Sequence, residues 1–148
     1  MVMKSATQSP LQDLQDVERA PSESSLFCGE SVLNILQLIL AGSDLSEVLT
    51  IIAGVVESQG NGTLCTIWLP DADGKHLYCA AAPGLRGFPE NVGRMAVGPK
   101  GASCGTAVYR RESVFVADIL QDSLWDDSRD RLQPYGIRAV WSRPLFTR

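Results

Sequence analysis

The chain has 148 residues, 45% of them hydrophobic, and a formal net charge of −4 at pH 7. This length predicts one domain, alone or with a tail, and the composition is ordinary for a soluble globular protein. No run of Lys or Arg occurs, which argues against nucleic-acid binding because phosphate neutralisation needs clustered cations. The apolar run at residues 33–41 is too short to span a bilayer, and the N-terminus has no secretory signal pattern. We therefore expect a cytoplasmic protein without a membrane segment.

The potential metal ligands are few and widely spaced. His76 is the single histidine, and the cysteines, which form no C-x-x-C pair, are Cys28, Cys65, Cys79 and Cys104. A structural zinc site usually needs closely spaced pairs of ligands, and disulfides are rare in cytosolic proteins. We expect neither a metal nor a cofactor.

The N-terminal part predicts a tail followed by two helices. Residues 1–25 are polar and show no sustained hydrophobic period, so they are predicted to form a flexible tail. The segment "SVLNILQLILAG" predicts a first helix with a broad apolar surface that ends at Gly42. Asp44 and Glu47 form a variant of the capping box at the start of a second helix. The apolar residues of that helix recur at helical spacing as far as Val56.

A β-hairpin is predicted next. The segments "TLCTIWLP" and "KHLYCAAA" flank "DADG", in which Asp73 and Gly74 are a strong signal for a tight turn. With a loop of even length, residues of opposite parity share a face across the two strands. Trp68 then shares a face with Cys79, and Cys65 lies on the opposite face, which argues against a disulfide between the two cysteines.

Residues 83–101 are rich in glycine and proline and read as a long loop, which in a small domain is usually functional or mobile. After it we predict a short helix in "GASCGTA", a strand in "SVFVAD", one or two short helices, and a last strand in "IRAVWSRPLF". The charged stretch "WDDSRDR" between these strands is predicted to be the solvated face of a helix.

The stretch "GASCGTA", residues 101–107, fits two chemical patterns. Its first five residues match the G-x-S-x-G nucleophile elbow of serine hydrolases. Because His76 precedes Ser103 and no histidine follows, we reject the hydrolase interpretation. Cys104 lies near a predicted helix N-terminus, where the helix dipole stabilises a thiolate. The small residues around it favour a buried cysteine packed against a sheet, and a reactive thiol stays as the alternative.

Several short segments in the second half of the chain occur in a specific order. They are "SCGTA" at residues 103–107, "VADI" at residues 116–119, Trp125, and "GIRAVWS" at residues 136–142 followed by Pro144. Together with the helices and hairpin before them, they resemble the GAF domains of bacterial sensor histidine kinases of two-component systems and of cyclic-di-GMP signalling proteins. The resemblance covers about residues 26–146, and the order of the segments makes it specific.

The resemblance implies an α+β, PAS-related fold with a central, mostly antiparallel sheet. The N-terminal helices cover one face, and loops with short helices cap the other face and enclose a small-molecule pocket. The GAF-like domain is expected at residues 26–148, without the last strand and final helix that follow "WSRPL" in the family. Because the missing strand pairs inside the sheet, its loss would leave backbone groups unpaired. A truncated chain or a partner that completes the sheet would each account for this.

The resemblance also implies that ligand-pocket residues come from the capping half of the domain and from the hairpin. The candidates are Tyr78, Cys104, Thr106, Asp118, Trp125 and Trp141. Asp118 is equally a candidate N-cap for the next helix, and both tryptophans are candidates for core packing.

The implied function is that of a cytoplasmic sensory module and not of an enzyme. The domain would bind a small-molecule ligand or dimerise, and an output domain or partner protein outside this chain would produce the signal. The first helix has more apolar surface than one sheet face needs, so we expect a homodimer through the N-terminal helices. The alternative is a thiol-based redox sensor, or an enzyme similar to free methionine sulfoxide reductases, that uses Cys104.

Overall fold

Antiparallel β-structure forms the centre of the fold. The computed structural model describes the backbone of residues 2–5 and all of residues 29–60 and 62–146. In chain order, the strands within these ranges are β1 (Val2–Ser5), β2 (Thr63–Cys65), β3 (Ile67–Pro70), β4 (His76–Ala81), β5 (Arg94–Ala96), β6 (Val114–Val116) and β7 (Ile137–Ser142). One sheet has the order β2-β1-β7-β6 and the other has the order β3-β4-β5. Thr66 alone separates β2 from β3, so this stretch of chain links the two sheets.

β1 departs from the expectation that residues 1–25 form a flexible tail. It pairs antiparallel with both β2 and β7, so that Val2 lies opposite Cys65 on one side and Trp141 on the other. The expectation of unpaired groups inside the sheet is therefore wrong at β2 and β7, because β1 supplies the ladder partner for each. The predicted tail over residues 6–25 lies outside the described residues.

Two helices follow in the predicted places. They are α1 (Gly29–Leu40) and α2 (Leu45–Ser58), which contact each other across a four-residue turn. At the start of α2, the Oδ1 atom of Asp44 accepts a hydrogen bond from the backbone N–H of Ser46 at 2.8 Å. This bond lowers the pKa of the Asp44 carboxyl, because it stabilises the charged form.

The face of the sheet that carries α2 is called the helix face here. α2 lies against β2 and β4, and its Ala53 is buried in a cluster with Cys65 and Ala81. α1 is buried only at Ile35. The apolar side chains of α1 that stay exposed are Val32, Leu33, Leu36, Ile39 and Leu40.

From Trp68 onward the hairpin has the register that the parity of its residues predicts, whereas a bulge between Ile67 and Trp68 places Ile67 opposite Ala81. Trp68 lies opposite Cys79, and Leu69 lies opposite Tyr78. Trp68 and Cys79 both pack against the main hydrophobic core, whereas Cys65 belongs to the cluster of the helix face. The two cysteines therefore lie on opposite faces and form no disulfide with each other.

The predicted loop at residues 83–101 contains regular structure. It includes the short helix α3 (Phe88–Val92) and the edge strand β5, which pairs with β4. Phe88 is fully buried at 0% exposure, and its ring makes an edge contact with Trp68 at a centroid distance of 6.2 Å. The sequence did not indicate that Phe88 is a core residue, because glycines and prolines surround it. Its buried ring fixes the segment onto the domain.

The other face of the sheet, called the capping face here, carries the main core. It is covered by α3, by α4 (Ala102–Arg110), by α5 (Arg129–Leu132) and by 3-10 turns at Ser123–Trp125 and Gln133–Tyr135. The core on this face includes Phe88, Trp125, Leu132 and Val140. The α+β fold with helices on one face and short elements capping the other is therefore confirmed. No helix in the described ranges is both long and apolar enough to cross a membrane.

Candidate functional site

The "GASCGTA" stretch forms the start of α4 and lies unusually close to β5. A Cβ atom built on Gly101 would lie 2.1 Å from the carbonyl oxygen of Ala96, and one on Gly105 would lie 2.0 Å from the same atom. Only glycine permits this approach of helix and strand. The G-x-S-x-G spacing is therefore explained by packing, and Ser103 between the glycines is fully buried at 0% exposure.

Cys104 is part of the main core on the capping face. Its side chain is 6% exposed, and its Sγ atom lies 3.6 Å from the Oγ atom of Ser142 on β7. Burial raises the pKa of the thiol, because the thiolate is poorly solvated there. These observations favour the packing interpretation of Cys104 over a reactive thiol.

The polar groups of Thr106 and Asp118 form hydrogen bonds with other residues of the domain. The Oγ1 atom of Thr106 donates a hydrogen bond to the carbonyl oxygen of Gly98 at 3.3 Å, which joins α4 to the turn before it. Asp118 accepts the backbone N–H of Leu120 at Oδ1, at 3.0 Å, as a residue that caps a turn does. Its Oδ2 atom also accepts a hydrogen bond from Arg138 at 2.6 Å, so Asp118 connects the covering segment to β7.

Trp125 lies at the centre of the capping face and has 0% exposure. Its Nε1 atom finds no hydrogen-bond partner among the described residues, and the same is true of the buried Nε atom of Arg129 and of the Nε1 atom of Trp141 on β7. A buried donor without an acceptor costs about 1–3 kcal/mol. The capping face therefore contains two buried N–H groups that can donate to an added acceptor.

A comparison with known families decides what this arrangement is. The family model of the GAF domain matches residues 44–148, which is most of the chain. The chain belongs to the GAF domain family. The match begins at the N-cap of α2 and runs through the whole capping half of the domain.

The GAF domain is also similar to one long curated protein. It is 27% identical over 135 residues to the methyl sulfide methyltransferase-associated sensor of Methanosarcina acetivorans. The alignment covers 90% of this chain and 13% of that protein, so the chain spans a small part of its relative's length. No solved structure matches the chain.

Two of the six predicted pocket residues lie on the other side of this GAF domain. Tyr78 is 42% exposed, and it follows Leu77, whose side chain belongs to the core of the capping face. Trp141 follows Val140 of the same core and stacks on the ring of Phe115 at 5.8 Å and an interplanar angle of 7°. Since successive side chains of a strand point to opposite faces, Tyr78 and Trp141 point away from the capping face.

Sequence reasoning missed the arginines that hold the capping face of the GAF domain together. In the stretch read as a solvated face, Arg129 Nη1 donates to the carbonyl oxygen of Leu120 at 2.9 Å. Arg131 Nη1 donates to the carbonyl oxygen of Val92 at the end of α3, at 3.0 Å. Mixed charges at helical spacing look alike in the sequence whether they meet water or backbone carbonyls, so no sequence signal distinguishes the two cases.

The turn of the hairpin brings together the side chains of Asp71, Asp73 and His76, whose potential ligand atoms lie within 4.8 Å of one another. Asp71 already accepts a hydrogen bond from Arg94 Nη1 at 3.0 Å and one from the backbone N–H of His76 at 3.2 Å. These groups therefore satisfy the Asp71 carboxylate as parts of the turn, and the cluster is explained without a metal ion.

Proposed function

We propose that this GAF domain is the sensory module of a signal-transduction protein. It binds a small molecule at the capping face and passes the resulting change to an output domain elsewhere in the protein, of the histidine kinase or cyclic-di-GMP type, in the cytoplasm. Membership of the GAF family supports this role, and so does the similarity to a protein whose name describes a sensor. The observation that carries the proposal is the fully buried Nε1 donor of Trp125, which lacks an acceptor among the described residues.

The unpartnered donors indicate the chemistry of the ligand. A molecule with a carbonyl, carboxylate or other acceptor oxygen would satisfy the Nε1 atom of Trp125, the Nε atom of Arg129, or both. Around these atoms the capping face is apolar, and Phe88 and Leu132 lie in the same core. A small, mostly apolar molecule with one or two acceptor oxygens fits such surroundings.

The same geometry explains how binding would produce a signal. Because Trp125 is completely covered, a ligand reaches it only when the segment at residues 118–135 moves. Hydrogen bonds from Arg131 to the carbonyl oxygen of Val92 and from Arg138 to Asp118 hold that segment in place. Ligand entry exchanges some of these bonds for ligand contacts, and this couples occupancy to the position of the segment.

The module is proposed to be regulatory and not catalytic. The nucleophile-type side chains of α4, Ser103 and Cys104, are both buried in the core. Burial raises the pKa of Cys104, which lowers the thiolate population that thiol chemistry requires. A redox role of Cys104 is therefore not part of the proposal.

A homodimer through α1 is part of the proposal. The exposed apolar residues of α1 follow one another at spacings of three and four positions, as in Leu33, Leu36 and Leu40. This spacing places them in one stripe along the helix, the pattern that pairs two helices in a coiled coil. α1 carries only one charged side chain, Glu30, so charge repulsion between two copies is small.

The ligand proposal is tested by thermal shift with a library of small metabolites that carry acceptor oxygens. A compound that stabilises the domain is then titrated against Trp125→Phe, which keeps an aromatic side chain but removes the N–H group together with one ring of the indole. Loss of one hydrogen bond of about 1 kcal/mol weakens binding roughly fivefold. The control is Trp68→Phe, because the Nε1 atom of Trp68 donates to Thr66 Oγ1 at 3.0 Å and is not available to a ligand.

Equal binding of a stabilising compound by the wild-type protein and by Trp125→Phe would reject Trp125 as the ligand donor. Absence of any stabilising compound across the library would count against the sensory role itself.

The dimer is tested by sedimentation equilibrium with Leu36→Lys, which places a charge in the middle of the α1 stripe. We expect a dimer for the wild-type protein and a monomer for this variant, because a charged residue at the seam of a helix pair is poorly solvated. Tyr109→Lys is the matched control, since Tyr109 is also exposed, at 57%, but lies on α4. A monomeric wild-type protein at all concentrations would overturn the dimer.

A further inference from the structure

The guanidinium group of Arg129 is engaged at both of its terminal nitrogens. Its Nη1 atom donates to the carbonyl oxygen of Leu120 at 2.9 Å. Its Nη2 atom donates to the carbonyl oxygen of Asp122 at 3.4 Å and to the Oδ1 atom of Asp126. Since Nη2 carries two hydrogens, these two acceptors use both of them. The buried Nε–H is left as a single donor without a partner among the described residues.

This arrangement prevents the usual contact between an arginine and a carboxylate. A carboxylate accepts two parallel hydrogen bonds from one fork of the planar guanidinium group. Each fork includes the Nη2 atom, which in Arg129 is already bonded to Asp122 and Asp126. An added ligand therefore finds a donor for one acceptor oxygen, and not the pair of donors that a carboxylate prefers.

The charge around this donor is also balanced. The segment at residues 118–135 contains five aspartates and two arginines, which gives a formal net charge of −3. Asp126 pairs with Arg129, and Asp118 pairs with Arg138 of β7. An anionic ligand would meet a segment with an excess of negative charge, and the repulsion between like charges would oppose its binding.

The core beside these donors is neutral. In the part of the chain that the structure describes, the buried polar side chains are those of Thr66, Ser103, Thr106 and Ser142, which all carry hydroxyl groups. Trp125, the second unpartnered donor, is fully buried and neutral as well. Transfer of an ionised carboxylate into such surroundings is strongly unfavourable unless a cation pairs with it, whereas a hydrogen-bonded neutral carbonyl group is tolerated.

We infer that the capping face selects a ligand with a neutral acceptor, an amide or ketone carbonyl, over the carboxylate of the same shape, and that Asp126 sets this selectivity. The inference rests on the function proposed above, in which Trp125 and Arg129 donate to the ligand. By pairing with Arg129, Asp126 fills the fork that a carboxylate would use and cancels the positive charge that would attract it. Asp126 therefore acts through Arg129 and not by contact with the ligand.

The experiment compares matched pairs of small probes that differ only in the acceptor group. Benzamide with benzoate, and isovaleramide with isovalerate, keep the apolar part and exchange a neutral amide for a carboxylate. Each probe is titrated into the full chain near neutral pH, and its dissociation constant is taken from shifts of the NMR signals of the three indole N–H groups. The signal of Trp125 is identified by its loss in Trp125→Phe. Every compound found by the thermal-shift library is compared with its amide or acid counterpart in the same way.

Asp126→Asn removes the charge and keeps the shape of the side chain, and Asp126→Ala removes the acceptor as well. The Asp126 side chain is 63% exposed, so both variants should fold. We expect the wild-type protein to bind each amide at least about tenfold more tightly than the matching acid. Asp126→Asn should reduce this ratio at least about fivefold, through tighter binding of the acid to an unpaired Arg129, and Asp126→Ala should reduce it further.

Asp127→Asn is the matched control, because it removes the same charge from the exposed neighbour of Asp126. Arg129 pairs with Asp126, so the control should change the ratio less than about twofold.

A purely structural role of Asp126 would weaken the binding of amide and acid together and leave their ratio unchanged, which would overturn the inference. A wild-type protein that binds the acids as tightly as the amides would overturn it too, and the proposed sensory function would then stand with a carboxylate as its ligand. If no probe and no library compound binds, the inference and the proposed function both fail.

Discussion

The two faces of the sheet are completed in different ways. On the capping face, the main core closes over Phe88 and Trp125, both at 0% exposure. On the helix face, α2 covers a small cluster around Ala53, while α1 leaves a stripe of apolar side chains in solvent, with Leu33 at 62% and Leu40 at 86% exposure. The capping face is closed by elements of the described chain, whereas the helix face leaves an exposed apolar surface on α1.

This difference separates the two activities that we propose for the domain. Because the capping face is tightly packed, we propose that it recognises a small molecule through single buried hydrogen-bond donors. The exposed stripe on the helix face is proposed to bind a second protein surface, because burial of apolar area is favourable. Four predictions test whether the faces differ in this way, in order of decreasing effect.

The largest effect is expected where α4 touches β5 on the capping face. Gly105→Ala puts a Cβ atom 2.0 Å from the carbonyl oxygen of Ala96, so helix and strand must separate. We expect a loss of about 3 kcal/mol in the free energy of unfolding, measured by urea denaturation. The control is Gly54→Ala in α2, where nothing lies within 4 Å of the new atom. This change should stabilise the domain by about 0.5–1 kcal/mol, because alanine favours helix.

The second prediction compares the inner and outer sides of α1 at a protein concentration where the domain is monomeric. Ile35→Ala removes the buried apolar side chain of α1, which is 9% exposed, and should cost about 2 kcal/mol. Leu33→Ala, at a position 62% exposed, should change the free energy of unfolding by less than about 0.5 kcal/mol. Equal costs for both changes would show that α1 has no free outer side.

The third prediction compares two tryptophans without a ligand. Trp68→Phe breaks the hydrogen bond from Nε1 to Thr66 Oγ1 and leaves that buried threonine with one donor fewer, so it should destabilise the domain by about 1 kcal/mol. Replacing Trp125 by 3-benzothienylalanine, which keeps the bicyclic shape and has sulfur in place of the N–H group, removes a buried donor that has no partner among the described residues, so it should leave stability unchanged or raise it. A loss of about 1 kcal/mol or more in this Trp125 variant would contradict an unpartnered donor.

The smallest effect concerns the buried thiols at alkaline pH. Burial raises the pKa of Cys79 to about 11 from an ordinary value of 9.0, and it also raises the pKa of Cys65 and of Cys104. Since the folded state favours the neutral thiol, this stabilisation is present below pH 9 and is lost as the pH rises through about 11. For Cys79 the change between pH 8 and pH 10 should be at most about 1 kcal/mol, because the side chain is partly solvated. Cys79→Ala should show a shallower pH dependence in the same measurement.

Local signals in the sequence predicted much of the fold. The helical period with Gly42 and Asp44 gave the limits of α1 and α2 to within a few residues. The Asp-Gly turn and the parity of the hairpin predicted that Trp68 and Cys79 share a face. Such features depend on residues close together in the chain, and for these the choice of conformation is decided by local geometry and hydrophobic period.

Contacts between distant segments could not be predicted in this way. β1 was read as tail because a four-residue strand has no period of its own, and only the two edges beside it make it a strand. The close approach of Gly105 to Ala96 was likewise hidden inside a pattern that looked like a nucleophile elbow. We predicted the pocket residues from the segments to which they belong. Because successive side chains of a strand point to opposite faces, Tyr78 on β4 and Trp141 on β7 lie on the other face.

The sequence by itself therefore determined the family, the helical pair and the hairpin, because each is encoded in short-range spacing and in the order of segments. Only the tertiary structure decided which polar groups stay without a partner, which glycines touch a neighbouring backbone, and what fills the space between β2 and β7. These depend on atoms far apart in the chain that meet within a few ångströms, and hydrogen bonding and close packing act only at that range.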